Sequence, residues 1–130
     1  MAVFELPITV APEDIDGLGH VNNVVYVRWM QDVATRHWET AAPAALRAEV
    51  IWVVTRHEVD YKAPAFVGEA LVARTWVGEP SGATWERFIE VRRVEGDRLL
   101  VAGRSVYAAI DPKSGRPRRV DSQLQEPFGA

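Results

Sequence analysis

Residues 14–29 read DIDGLGHVNNVVYVRW. Asp14, Asp16, His20, Asn22 and Asn23 crowd two carboxylates, an imidazole and two carboxamides directly ahead of an apolar-periodic segment. From residue 22 to about residue 38, Val25, Trp29, Val33 and Trp38 recur at three- to five-residue intervals, and Tyr26, Met30 and Ala34 widen the stripe. That spacing predicts a helix with one buried face. Gly17 and Gly19 allow the preceding chain to turn sharply, or a ligand to approach the backbone closely. The helix is expected to end before Pro43, with a short second helical stretch over residues 43–49.

Outside this helix the period is two. Residues 4–10 read as a short strand closed by a loop over residues 12–19. After the helix, Ile51, Val53, Thr55, His57, Val59 and Tyr61 fall on one face of a strand, and Arg56, Glu58 and Asp60 on the other. Residues 71–77, 84–94 and 98–110 continue the pattern. Between them lie the turn-forming segments KAPAFVG (residues 62–68), Pro80-Ser81-Gly82 and Glu95-Gly96-Asp97, and residues 111–116 read as a turn at a strand end. Long adjacent strands with short loops favour an antiparallel meander. The expected fold class is α+β: one domain over residues 1–130, a long central helix wrapped by a highly curved antiparallel sheet of about five strands. A domain this small buries little by itself and leaves both sheet edges open, so pairing of subunits through an edge strand is expected.

Composition bounds the function. The chain has 130 residues, 48% hydrophobic and 25% charged, as in an ordinary globular domain. Fifteen basic against 18 acidic residues leave a net charge of -3, so no general attraction to nucleic acid is expected. The absence of cysteine excludes disulfides, thiol catalysis and cysteine-based metal sites. No signal peptide and no apolar run of membrane-spanning length is evident, which makes a cytoplasmic location without membrane association the expectation. His20, His37, His57 and the aspartates lack a metal-ligand spacing, and neither metal nor cofactor is expected. His57, between Thr55 and Val59 on an apolar face, reads as a satisfied core or interface histidine.

The loop and helix start can do chemistry together. The first turn of a helix presents amide hydrogens without intrahelical partners, and its dipole adds positive potential. If the helix starts near Asn22, those amides can hold the oxyanion that develops when an ester or thioester carbonyl is attacked. Asp16 would then act on the carbonyl carbon, as nucleophile or as base for a water. A thioester suits a weak base, because its thiolate leaves with little protonation. Each residue also has a purely structural reading. Asp14 or Asp16 can cap the loop or the helix, His20 can bridge loop and helix, and Asn22 and Asn23 can be the cap and its neighbour. Near the end of the chain, Lys113, Arg116, Arg118 and Arg119 could meet the phosphates of an anionic carrier such as coenzyme A, or could simply be a solvated cluster.

The pattern D-x-D-x-x-G-H-V-N-N-x-x-Y, formed by Asp14, Asp16, Gly19, His20, Val21, Asn22, Asn23 and Tyr26, resembles the hotdog-fold thioesterases of the 4-hydroxybenzoyl-CoA thioesterase family. Trp29, VDYKAPAFVGE (residues 59–69) and AIDPKSGRPRRV (residues 109–120) extend the resemblance over about residues 5–120. It implies a helix wrapped by an antiparallel sheet in a homodimer, often a tetramer, acting on acyl-CoA or aryl-CoA thioesters. It implies Asp16 as the catalytic carboxylate, the Asn23 backbone amide as the carbonyl-polarising group, and His20 as a supporting catalytic residue. Gly19, Asn22, Tyr26, Arg116, Arg118 and Arg119 are the candidate substrate contacts, and the resemblance implies that strand residues of a second subunit complete the pocket. Plant acyl-ACP thioesterases share a similar stretch with an Asp-x-Asn-x-His set; Asp16 and His20 match, but Leu18 occupies the asparagine position. The family often has an acid inside the helix where this chain has Gln31, and the adjacent Asp32 would point about 100° away round the helix.

Two other functions fit the same pattern. A hydratase or dehydratase acting on an acyl thioester would need His20 and Asp16 to face one pocket. A non-catalytic acyl-CoA-binding protein would use the apolar slot alone, although a carboxylate facing an uncharged thioester contributes little to binding.

Overall fold

The computed structural model describes residues 2–129. Helix α1 spans Asn23–Ala41, 19 residues, or about 28 Å at 1.5 Å per residue. Asn22 caps it: its side-chain oxygen accepts the Val24 amide hydrogen at 3.0 Å. At the other end Pro43, which has no amide hydrogen and cannot continue the ladder, follows the last bond from the Ala42 N–H to the Trp38 carbonyl. Val25, Tyr26, Trp29, Met30, Val33, Ala34 and His37 form the buried face.

That face lies in the hollow of a five-stranded antiparallel sheet with strand order β1-β3-β4-β5-β2. The strands are β1 (Phe4–Thr9), β2 (Ile51–Tyr61), β3 (Ala70–Ser81), β4 (Thr84–Arg93) and β5 (Arg98–Ile110). Short helices α2 (Ala44–Arg47) and α3 (Ser122–Gln125) complete the element list with three brief 3-10 turns. The expected class is therefore found, and the meander reading holds for β3, β4 and β5. It fails for β2, which pairs with β5 at the far edge. Residues 62–69 are accordingly a crossing connection rather than a hairpin turn. Their backbone bonds to the rest of the fold: Lys62 N–H bonds the Leu100 carbonyl at 2.7 Å, and the Ala65 carbonyl accepts the Val21 N–H at 2.9 Å.

A bulge changes the reading of β2 itself. Its register jumps from Val54↔Tyr107 to Arg56↔Val106, leaving Thr55 as the extra residue. The inward set is therefore Trp52 and Val54 before the bulge, then His57 and Val59 after it. Ile51 and Val53, expected on that face, point outward and are 48% and 47% exposed.

The interior is divided. One apolar cluster joins Val25, Tyr26, Trp29, Met30 and Val33 of α1 to Leu71, Ala73, Ile89, Val91, Leu100 and Val101. A second gathers Ala42, Leu46, Val50, Val77, Trp85, Ala109, Val120, Leu124 and Phe128. Between them the buried residues are polar: His37, Thr75, Arg87 and Ser105. Strand alternation creates this seam. The inward run of β4 is Trp85, Arg87, Ile89, Val91 and that of β3 is Val77, Thr75, Ala73, Leu71; Arg87 lies opposite Val77 and Thr75 opposite Ile89, so the apolar sequence is interrupted at diagonally neighbouring positions of the two strands. The C-terminal segment, for which the sequence reading gave no element, closes the second cluster. The Asp121 side chain caps α3 by accepting the Leu124 N–H at 3.1 Å, and Leu124 and Phe128 are essentially fully buried.

Candidate active site

The loop before α1 is held from both sides. Asp14 is buried; its Oδ2 accepts the Ala11 N–H and its Oδ1 the Arg28 Nη2–H, each at 2.9 Å. Its carbonyl accepts the Asn22 N–H at 2.9 Å, which fixes the entrance to the helix. Asp14 is thus a structural carboxylate. Residues 15–21 form a tight turn closed by an antiparallel bridge between Ile15 and Val21, with the Asp16 N–H bonded to the His20 carbonyl at 3.0 Å. Gly19 has φ +86°, a conformation that a residue with a Cβ adopts only under strain, and a Cβ at Gly17 or Gly19 would meet no atom within 4 Å. The turn therefore presents open backbone.

Within that turn Asp16 uses one carboxylate oxygen locally, accepting the Leu18 N–H at 2.8 Å through Oδ1. Oδ2 makes no hydrogen bond to a described residue. The His20 Nδ1 lies 3.2 Å from the Val21 carbonyl, to which it donates when the ring carries its proton there. It is 3.8 Å from Asp16 Oδ1, too far for a hydrogen bond. At the helix start the Val24 N–H is satisfied by the Asn22 side chain and the Val25 N–H by the Asn22 carbonyl. The Asn23 N–H has no partner among the described residues. It is a free donor at the positive end of a 19-residue helix, a few residues along the chain from a carboxylate with a free oxygen. Tyr61 at the end of β2 ties the sheet to this point, its hydroxyl donating to the Asn23 carbonyl at 3.1 Å.

Asp16, Gly19, His20, Asn22 and Asn23 are thus brought together. Tyr26 is not: one turn along α1, it faces inward at 2% exposure, packed edge-on to Trp29 at 5.3 Å and Tyr61 at 5.8 Å. Burial pushes its hydroxyl above the ordinary phenol range, and it supports the helix start from within the core. The arginines are also elsewhere. Tyr61, beside Asn23, pairs with Val101, whereas Ile110, from which residues 111–119 continue, pairs with Ile51 at the opposite end of β2. Arg116, Arg118 and Arg119 therefore lie beyond the C-terminal half of α1, far from Asp16 of the same chain. Arg118 is engaged there, 3.7 Å from Glu49 and 3.9 Å from Asp121. Arg116 and Arg119 are exposed.

The family model of the thioesterase-like superfamily matches residues 10–128. The chain belongs to the thioesterase-like superfamily. Among its relatives, an acyl-CoA thioester hydrolase, YbgC, of Escherichia coli O6:H1 is 26% identical over 129 residues, spanning 97% of this chain and 96% of the relative. The 1,4-dihydroxy-2-naphthoyl-CoA thioesterase Slr0204 of Synechocystis superposes with a TM-score of 0.85 at 15% identity, over 98% of this chain and 96% of its own. A Thermus thermophilus thioesterase, crystallised with coenzyme A and zinc, superposes with a TM-score of 0.83 at 24% identity, over 96% and 90%. These superpositions establish the hotdog fold for this superfamily member.

Sequence reasoning missed the seam. Arg87 is 7% exposed and donates from Nη1 to His37 Nδ1 at 2.9 Å and to the Thr75 hydroxyl at 3.0 Å. Desolvation, and then the adjacent Arg87, lower the His37 pKa to about 4, so the ring is neutral and able to accept. Burial also lowers the Arg87 pKa, to about 10, which leaves it charged at neutral pH. The available signal was a charge in the inward register of β4, between Trp85 and Ile89. His57 is satisfied, with Nδ1 2.7 Å from the Ser105 hydroxyl and Nε2 3.3 Å from the Gln31 amide nitrogen. Gln31 thus directs its amide to β2. Among the described residues no group of three or more His, Cys, Asp or Glu side chains is placed to hold a metal ion, and no helix is long and apolar enough to cross a membrane.

Proposed function

We propose that this chain hydrolyses acyl-CoA or aryl-CoA thioesters at the Asp16 loop. The observation that carries the reading is the Asn23 N–H at the start of α1, which has no partner among the described residues, following in the same loop and helix start a carboxylate whose Oδ2 likewise has none. The thioester carbonyl oxygen accepts from Asn23, which polarises it and stabilises the oxyanion. Asp16 either takes a proton from the attacking water or attacks the carbonyl carbon itself. Either route breaks the C–S bond, releases the thiolate and leaves the acid after water is consumed. Membership of the thioesterase-like superfamily and the likeness to an acyl-CoA thioester hydrolase support this reading. The 3.8 Å separation of His20 from Asp16 makes His20 a loop-positioning group rather than a proton relay, which weakens the hydratase alternative.

The site is open in one chain: Leu18 is 80% and Val24 73% exposed. A homodimer would cover it. The β2 edge suits pairing better than β1, because β1 contains Pro7, which lacks an amide hydrogen, while β2 is 11 residues long and presents Ile51 and Val53 outward. Antiparallel β2–β2 pairing about a twofold axis places the Ile51 end of one strand beside the Tyr61 end of the other. The arginine-bearing end of one subunit then approaches the Asp16 loop of its partner, which restores Arg116 and Arg119 as phosphate contacts across the interface.

Thiol release measured over short, medium, long and aromatic acyl-CoAs tests the activity, with an enoyl-CoA included. Free thiol is the expected product. Loss of the conjugated double bond without free thiol would replace hydrolysis by hydration, and saturable binding without either would leave only an acyl carrier. A monomer of undiminished activity would overturn the two-subunit site.

A further inference from the structure

The seam opens into a cavity that lies apart from the Asp16 loop of the same chain. It measures about 240 Å³ and is walled by Trp38, Trp52, Trp85, Tyr107 and Phe128, with Arg87 at one side. Thr35, also in its wall, is twelve residues beyond Asn23 on α1, about 18 Å along the helix axis. Within one chain this is a separate place from the Asp16 loop.

Arg87 is the feature that asks for a ligand. A guanidinium this buried is normally matched by a carboxylate, since an uncompensated interior charge is costly. Here none is supplied: the partners of Arg87 among the described residues are the neutral His37 and Thr75, both on Nη1, and the face of Phe128 at 5.8 Å. Nε and Nη2 make no hydrogen bond to a described residue. Glu86, next in sequence, also lines the cavity, but its carboxylate is turned to the other face of the sheet, where it accepts from Arg104 at 2.9 Å and from the Glu79 N–H at 3.2 Å. Tyr107 adds a hydroxyl that likewise has no described partner, and which burial keeps protonated. Two guanidinium donors and a phenol facing an aromatic box match a carboxylate on a flat apolar body. The size agrees: an apolar cavity of roughly 150 Å³ holds a benzene ring, and this one leaves room for a carboxylate beside it.

We infer that this cavity binds a small aromatic carboxylate, with Arg87 pairing the anion and the tryptophans enclosing the ring. The inference is independent of which residue cleaves a thioester. Two carriers present that chemistry, a free aromatic acid and the far end of an aromatic dicarboxylic acyl thioester.

Three of the lining residues are tryptophans, so intrinsic fluorescence reports occupancy. Titration of the whole protein at pH 7 with phenylacetate should give a saturable change. The uncharged isostere phenylacetamide should bind at least tenfold more weakly. Arg87→Gln should erase that preference, Arg87→Lys should retain part of it, and Asp16→Asn should leave it intact. The acid-against-amide comparison needs no variant, so a folding defect in Arg87→Gln does not remove the test. Displacement of phenylacetate by 4-carboxybenzoyl-CoA would assign the anion to a substrate, and failure to displace it would assign a free acid. Equal binding of acid and amide, no saturable binding of phenylacetate, or loss of binding in Asp16→Asn would overturn the inference.

Discussion

Replacing His37 by Gln should flatten the pH dependence of stability in the mildly acidic range. His37 is buried, stacked on Phe4 at 5.1 Å, edge-on to Phe128 at 4.8 Å, and accepts from Arg87. Protonation would remove the lone pair that Arg87 uses and set two cations side by side. Burial first, and then the adjacent Arg87, lower the imidazole pKa from 6.5 to about 4 in the folded protein. Between those values the unfolded chain holds more protons, so stability rises with pH. The contribution is complete above pH 6.5 and is lost as pH falls through about 4. Integrating the proton uptake gives a loss of about 2 kcal/mol between pH 7 and pH 5 from this one group. Gln cannot titrate, yet its side-chain carbonyl can still accept from Arg87. Urea unfolding of both proteins at pH 7 and pH 5 isolates the effect: the parent should lose about 2 kcal/mol more than His37→Gln. The variant's lower absolute stability, from lost ring packing, cancels in the difference. Parallel losses in the two proteins would refute the claim that a buried neutral imidazole serves Arg87.

Asp14→Ala should cost about 1–3 kcal/mol in urea unfolding, since the Ala11 N–H loses its acceptor, and turnover should fall with it because the Asp16 turn loses its anchor. Gly103→Ala should destabilise by about 1 kcal/mol, the low end of overpacking, because its Cβ would lie 2.6 Å from Cε at the flexible tip of the fully buried Met30. The same change in a Met30→Ala background should cost clearly less, and equal costs would refute the contact. Phe128→Ala should cost about 3–5 kcal/mol by thermal or urea unfolding, since the C-terminal ring closes the second apolar cluster.

What the sequence discloses and what it withholds follow from the range of the interactions involved. The start of α1, the turn at Gly17 and Gly19 and the grouping of Asp16, His20, Asn22 and Asn23 depend on residues within about ten positions of each other, so they are legible. The strands are legible as strands for the same reason. The place of β2 at the far edge depends on its pairing with β5, about fifty residues away, and local alternation contains nothing about it. Thr55 illustrates a subtler loss: one bulged residue exchanges the two faces of a strand, so Ile51 and Val53, which read as sharing a face with His57 and Val59, lie on the opposite one. Which end of the sheet residues 111–119 reach, and so how far Arg116, Arg118 and Arg119 lie from Asp16 of the same chain, is fixed by the β2–β5 pairing and by nothing local. The inward register of Arg87 on β4 is legible, but the groups that meet the cation, His37 on α1 and Thr75 on β3, lie 50 and 12 residues away and are brought to it only by the fold.

Thiol release by Asp16→Asn, set beside its affinity for a non-hydrolysable acyl-CoA, tests the central claim most directly. The substitution keeps an oxygen to accept the Leu18 N–H, so the turn is retained while the carboxylate is lost. With a substrate that the parent cleaves, kcat should fall by about a hundredfold or more, and binding of the analogue should stay within a few-fold of the parent. Undiminished turnover by Asp16→Asn would contradict the assignment of the reaction to this loop.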